Sequence, residues 1–218
     1  MIDGINKSRP DHILTIEDPI EFVHDNHQCL VNQREVHKHT ESFGAALRAA
    51  LREDPDIVLI GEMRDLETTH IAIETAETGH LVFGTLHTTT AISTVDRLID
   101  QFPSGQQAQI RTMLASTLKG VIAQNLLKKK GGGRLAALEI LIVNTAVSML
   151  IREGKNTQIM SIMQTAKKEG MTLLNDELAR FAKEGLVQPA EAWSKAVDKA
   201  GLKAAFDSAE VKFAAPEE

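Results

Sequence analysis

Three short apolar runs in this chain each end on polar side chains suited to phosphate chemistry. Ile13-Leu14-Thr15-Ile16 leads into Glu17, Asp18 and then Glu21. Ile57-Val58-Leu59-Ile60 leads into Gly61 and Glu62, with Arg64 close behind. The run over 81–85 leads into Leu86 and His87, and His80 precedes it. Nucleotide hydrolysis needs a carboxylate to orient the attacking water, a cation to offset phosphate charge and a group that senses the terminal phosphate. Glu62 stands where that carboxylate belongs, to position or deprotonate water either directly or through Mg²⁺. Glu17, Asp18 and Glu21 form an acidic cluster, which repels itself unless a cation or basic side chain is near. Mg²⁺ bound through water, or an arginine from a neighbouring subunit, would satisfy it. His87 is suited either to touching the γ-phosphate or to relaying closure. His80 belongs to the far edge of its run or to an interface. Arg64 is either a phosphate contact or the partner of Asp65.

Short, β-branched, nearly unbroken apolar runs are the pattern of buried parallel strands. Open α/β sheets bind ligands outside the carboxyl ends of such strands. The segment 21–36 reads as irregular strand pieces. Thr40 reads as the cap of a helix carrying Phe43, Leu47, Ala50 and Leu51 on one stripe, stopped at Asp54-Pro55. Residues 66–78 form a second helix, closed by Gly79. The β-α-β-α-β order predicts an α/β fold with a largely parallel sheet flanked by helices. A helix over 91–102 follows. Next comes one long helix from the capping box of Ser104 and Gln107, through Ile110, Leu114, Leu118, Val121, Ile122 and Leu126, to the lysines at 128–130. Glycines 131–133 make a turn before a strand over 135–143. Helices are expected over 145–152, 157–168, 172–184 and 189–200. The expected domains are an α/β core over 1–144, a small all-helical carboxyl-terminal region over 145–202 and a loose tail over 203–218.

Composition narrows the alternatives. The net charge of −6 gives no general basic face for nucleic acid, so no nucleic-acid partner is expected. No apolar stretch reaches the ~20 residues that a membrane span needs. Cys29 is the single cysteine, which fits a reducing compartment and excludes an intrachain disulfide. One cysteine among eight histidines does not make a zinc site. No G-x-S-x-G elbow supports a serine hydrolase.

The motifs taken together resemble those of the secretion and pilus ATPases. ILTIEDPIE over 13–21 is similar to their Asp box, IVLIGEMRD over 57–65 to their Walker B segment, and GHLVFGTLHT over 79–88 to their His box. Glu53-Asp54-Pro55-Asp56 and Ala76-Glu77-Thr78-Gly79 extend the likeness, which runs over about residues 1–200 and points to the PilT-type pilus retraction ATPases. The resemblance implies a RecA-like core, Mg²⁺ and ATP, a homo-hexameric ring, and a cytoplasmic motor held at the inner membrane by the pilus platform protein. It assigns catalytic roles to Glu17, Glu62 and His87, and nucleotide contacts to Asp18, Glu21, His80 and Arg64. No direct metal ligand is implied, and Mg²⁺ is expected through water near Glu17 and Glu62.

Residues 146–153, AVSMLIRE, resemble the family's retraction motif AIRNLIRE, with Ser148 and Met149 in place of Arg-Asn. Ala146, Val147, Leu150, Ile151, Arg152 and Glu153 are the matching positions, and Leu150 with Ile151 is still suited to form the motif's apolar face. The family's G-x-x-x-x-G-K-[ST] loop is not among these 218 residues. Its backbone N–H groups and lysine supply most phosphate contacts. These residues alone are therefore expected to bind ATP weakly or not at all. The rival readings are an accessory, PilU-like or non-catalytic subunit of a mixed ring, and a type II secretion or pilus-assembly ATPase. The assembly ATPases often carry a tetracysteine zinc insertion, which a single cysteine does not supply.

Overall fold

A computed structural model describes residues 1–214; the last four residues of the expected tail, 215–218, lie outside the described residues. The chain divides into two compact units. Met1–His87 and Leu98–Thr117 form the first, and Thr88–Arg97 with the chain from Leu118 onward forms the second.

The first unit contains α1 (Ile2–Asn6), β1 (His12–Glu17), β2 (Leu30–Glu35), α2 (Phe43–Ala50), β3 (Ile57–Ile60), α3 (Leu66–Glu77) and β4 (Leu81–Gly84). The helix α4 (Ala91–Asp100) is shared between the units, and α5 (Ser104–Thr117) closes the first. The four strands lie in the order β2-β1-β3-β4, and every pair is parallel. Alternation along the strands sorts their side chains onto two faces. Leu14, Ile16, Val58 and Ile60 face the apolar stripes of α2 and α3, where Leu47 and Ala50 are fully buried. Ile13, Val31 and Ile57 face the other way and pack with Ile2 and Cys29. Ser42, not Thr40, caps α2: its Oγ accepts from the Ala45 N–H at 3.1 Å. Asp65 caps α3 by accepting from the Thr68 N–H at 2.8 Å.

The second unit holds β5 (Gly120–Lys128), β6 (Arg134–Ile142), α6 (Thr145–Arg152), α7 (Ile159–Thr165), α8 (Leu174–Lys183), α9 (Pro189–Lys195) and α10 (Lys199–Ser208). The long helix expected to run to the lysines at 128–130 ends at Thr117, and its second half is β5. Gly120 weakens a helix there, while Val121 and Ile122 are β-branched. The strand pairs antiparallel with β6 from Gly120↔Ile142 to Lys128↔Arg134, so alternate residues share one face, where Val121, Ala123 and Leu127 are buried and Asn125 half-buried. Glycines at 131, 132 and 133, all at positive φ, turn the chain between the two strands. This hairpin falls in the second unit, so the boundary expected near residue 144 lies inside that unit. Leu127 and Ala137 of the hairpin share a core with Leu178, Phe181, Ala192, Leu202 and Phe206 of the helices. Residues 203–208, expected in a loose tail, form part of α10, and the helix expected over 189–200 is interrupted where Ala196 turns extended.

Gly61, just beyond β3, sits where its neighbour strand comes closest. A Cβ there would lie 3.1 Å from both the Glu17 Cα and the Ile16 carbonyl oxygen. Both are backbone atoms inside the sheet and cannot swing aside. Gly61→Ala is expected to destabilise the first unit by about 1–3 kcal/mol, measured by urea unfolding.

Candidate active site

The parallel register carries the three apolar runs to one edge. Ile16 pairs with Ile60, and Ile60 pairs with Gly84, so Glu17, Gly61 and Thr85 leave the sheet side by side. Backbone bonds extend this alignment past the strands. The Gly61 N–H donates to the Ile16 carbonyl at 2.7 Å, and the Met63 N–H donates to the Thr85 carbonyl at 3.0 Å. The Thr85 hydroxyl donates to the Gly61 carbonyl, which fixes the chain on either side of Glu62.

Glu62 is the acid of this edge that holds two basic partners. Its Oε1 lies 2.9 Å from His87 Nε2 and its Oε2 lies 2.5 Å from an Arg64 guanidinium nitrogen. The carboxylate is 17 % exposed, whereas His87 is 85 % and Arg64 67 % exposed. The Arg64 hydrogen bond and charge, with His87 adding to them, hold the Glu62 carboxyl below the ordinary carboxylate range against the opposing effect of burial. Glu62 in turn, and Asp18 more weakly, push the Arg64 guanidinium up. Arg64 therefore pairs with Glu62 rather than with Asp65, whose carboxylate is used in capping α3.

Glu17 is oriented by neighbours on the same face. Its Oε1 accepts from the Thr15 hydroxyl at 2.6 Å and from Gln33 Nε2 at 3.0 Å. Gln33 stands opposite Thr15 in the β1–β2 register, so its role follows from strand pairing and not from spacing along the chain. Asp18 is exposed and close enough to act on Arg64. Glu21 is exposed, and among the described residues no hydrogen bond or ion pair joins it to Glu62, Arg64 or His87. The structure does not bring His80 to this edge. It precedes β4 at the opposite end of the strand, where its Nδ1 lies 3.1 Å from the Thr75 carbonyl and 3.0 Å from the Thr78 hydroxyl. A parallel strand presents its two ends to opposite edges of the sheet, so His80 lies apart from Glu17, Glu62 and His87. Among the described residues, no three His, Cys, Asp or Glu side chains are grouped to hold a metal ion.

The family model for type II/IV secretion system proteins matches residues 1–131. The chain belongs to that family. It is 56 % identical over 197 residues to the twitching motility protein of Neisseria gonorrhoeae, covering 90 % of this chain and 53 % of that one. It is 55 % identical over 196 residues to the type IV pilus retraction ATPase PilT of Pseudomonas aeruginosa, covering 90 % and 57 %. Among solved structures, the pilus retraction motor PilT with bound ADP matches with a TM-score of 0.88 and 51 % identity, over 94 % of this chain and 58 % of that one. The chain spans about half the length of the curated relatives it matches. The α/β fold with a parallel sheet flanked by helices, expected from the strand pattern, agrees with that structural match.

The positions matching the retraction motif lie on α6 in the second unit. Of the two residues read as the motif's apolar face, Leu150 is half-buried and Ile151 fully buried. Val147 and Ile151, four residues apart, are both fully buried, because that spacing puts them on one side of a helix. Ala146, Met149, Leu150 and Glu153 line a groove facing Gln158, Ser161 and Ile162. Met149 is 53 % exposed there. Arg152 is exposed, and Glu153 pairs with Lys155 at 2.8 Å.

Proposed function

We propose that this chain is the ATP-hydrolysing part of a subunit that retracts type IV pili, with hydrolysis driving pilin removal from the fibre. The observation that carries the reading is the Glu62 carboxylate, gripped by His87 and set beside Glu17 at the carboxyl edge of a parallel sheet. The identity to pilus retraction ATPases over 90 % of the chain supports it.

In this reading Glu62 orients the attacking water and takes its proton. Its low proton affinity keeps it ionised and ready to accept a hydrogen bond at neutral pH. His87, exposed and in contact with Glu62, faces the terminal phosphate and reports its presence to the base. Glu17 is held in one rotamer by Thr15 and Gln33, and its Oε2 has no protein partner among the described residues. Mg²⁺ commonly takes only one or two carboxylates, keeping waters and substrate phosphates as its other contacts. Glu17 and Glu62 fit that demand through intervening water. When bound, the cation offsets charge on the phosphates. Asp18 tunes Arg64, and Glu21 faces solvent or a neighbouring subunit.

The working motor would be a RecA-like homo-hexamer, cytoplasmic and peripheral at the inner membrane, where the pilus platform protein anchors it. Among the described residues no helix is long and apolar enough to cross a membrane. The outer side of α6, from Ala146 to Glu153 with Arg152 exposed, is the proposed contact with that machinery. The test is a chimera in which this chain replaces the matching half of the Pseudomonas aeruginosa PilT protein. Restored twitching in a strain lacking its own retraction ATPase is expected. A folded, ATP-hydrolysing chimera that never restores twitching would reassign the chain to another motor of the family.

A further inference from the structure

The grip on Glu62 has a cost for a base. One carboxylate oxygen is held by His87 and the other by Arg64, which leaves water only the remaining lone pairs of a carboxylate whose charge Arg64 already offsets. The two partners differ in what else they can do. His87 follows β4 and is aligned by the backbone bond between Met63 and Thr85. Arg64 is a long side chain, two-thirds exposed, reaching back over the β3–α3 turn that carries it. Asp18, beyond the end of β1, is the other charged group acting on the Arg64 guanidinium. Guanidinium binds a polyphosphate through several oxygens and several negative charges at once, and so prefers it to one carboxylate.

We propose that Arg64 is a displaceable clamp on Glu62, which covers the carboxylate at rest and leaves it when a polyphosphate draws the guanidinium away. The inference rests on the reading of this edge as a nucleotide site. Arg64 acts through Glu62 and is a positioning residue. Its departure does two things. It uncovers Oε2 for the attacking water, and it makes Glu62 a stronger base, because the cation that favours the ionised form is gone. Glu17, whose Oε1 is tied to Thr15 and Gln33, stays in place throughout.

The clamp is tested in this chain by carbon-13 NMR titration of the Glu62 carboxyl, assigned by the signal that Glu62→Gln removes. Wild type is expected to titrate below the ordinary carboxylate range, Arg64→Gln to move up toward it, and Arg64→Lys, which keeps the charge, to stay low. Identical titrations in wild type and Arg64→Gln would overturn the clamp. Displacement is tested in the chimera described above. Arg64→Gln is expected to raise KM for ATP about tenfold, through the lost phosphate contact, while kcat stays within about twofold of wild type, because Arg64 has already left Glu62 in the nucleotide complex. The acidic limb of the kcat/KM profile, which reports the free enzyme, moves to higher pH, and that of kcat does not. A kcat reduced a hundredfold, or a kcat limb that moves as far as the kcat/KM limb, would mean that Arg64 stays on Glu62 or acts in the chemistry itself and would overturn the displacement. A wild-type chimera without ATPase activity would defeat the proposed function and displacement by polyphosphate together, and the carboxyl titration would then decide the clamp alone.

Discussion

Glu62→Gln in the chimera is expected to lower kcat for ATP hydrolysis by about 10²–10⁴-fold, the range over which a positioned general base contributes. Glutamine keeps the shape of the side chain and accepts a hydrogen bond from His87, so the edge of the sheet keeps its geometry. It cannot take a proton from water, and it removes the negative charge that Arg64 and His87 face. Nucleotide affinity is therefore expected to change far less than kcat. Steady-state hydrolysis beside a fluorescent-nucleotide titration separates the two. Full turnover by Glu62→Gln would remove Glu62 from the chemistry. The same carboxylate sets a pH dependence with a defined sign. Its folded proton affinity is lowered, so its contribution to stability is complete above the unfolded carboxylate value and is lost as pH falls through the lower folded value. Acid, not base, should loosen this edge.

Glu139→Ala is expected to destabilise the second unit by about 3 kcal/mol. Glu139 is a buried carboxylate on β6, only 6 % exposed, and it serves two helices at once. Its Oε1 accepts from the Ala91 N–H at the start of α4 at 2.7 Å, and its Oε2 accepts from the Leu174 N–H at the start of α8 at 3.2 Å. The first N–H groups of a helix have no partner within it, and the helix dipole adds to their attraction for an anion. No side chain caps α8 at its own Leu173, so Glu139 supplies what the local sequence lacks. Alanine leaves both donors buried and unpaired. Glutamine offers one accepting oxygen and turns its amide N–H₂ toward the other donor, so Glu139→Gln should recover only part of the loss. Calorimetric unfolding of the three proteins provides the ranking. Equal stability of wild type and Glu139→Ala would mean that water replaces the carboxylate without penalty.

Glu139 also shows where sequence reading stops. It lies in the run Leu138-Glu139-Ile140-Leu141, with no spacing that relates it to residue 91 or 174. A helix cap contributed from a distant strand leaves no local signature, unlike Ser42 and Asp65, which sit directly before the helices they cap. The hairpin was hidden for a different reason. Leu118, Val121, Ile122 and Leu126 satisfy a helical stripe, yet Val121, Ala123 and Leu127 satisfy alternation as well. Nine paired residues on β6, far along the chain, resolved the ambiguity. Asp18 and Glu21 illustrate the same limit at the site: the acids of the cluster lie within five residues of one another, but only Asp18 acts on Arg64.

The sequence alone determined the parallel strands β1, β3 and β4, and the side chains each delivers to its carboxyl end, because an unbroken β-branched run and the residue after it are properties of neighbouring positions. The tertiary structure decided which of those side chains touch. Arg64 turned to Glu62 instead of Asp65, His80 went to the far end of β4, Gln33 came to Glu17, and Glu139 reached two helices. Each of those outcomes depends on strand register and on competition among charges within a few ångströms, and neither is written in the spacing of residues along the chain.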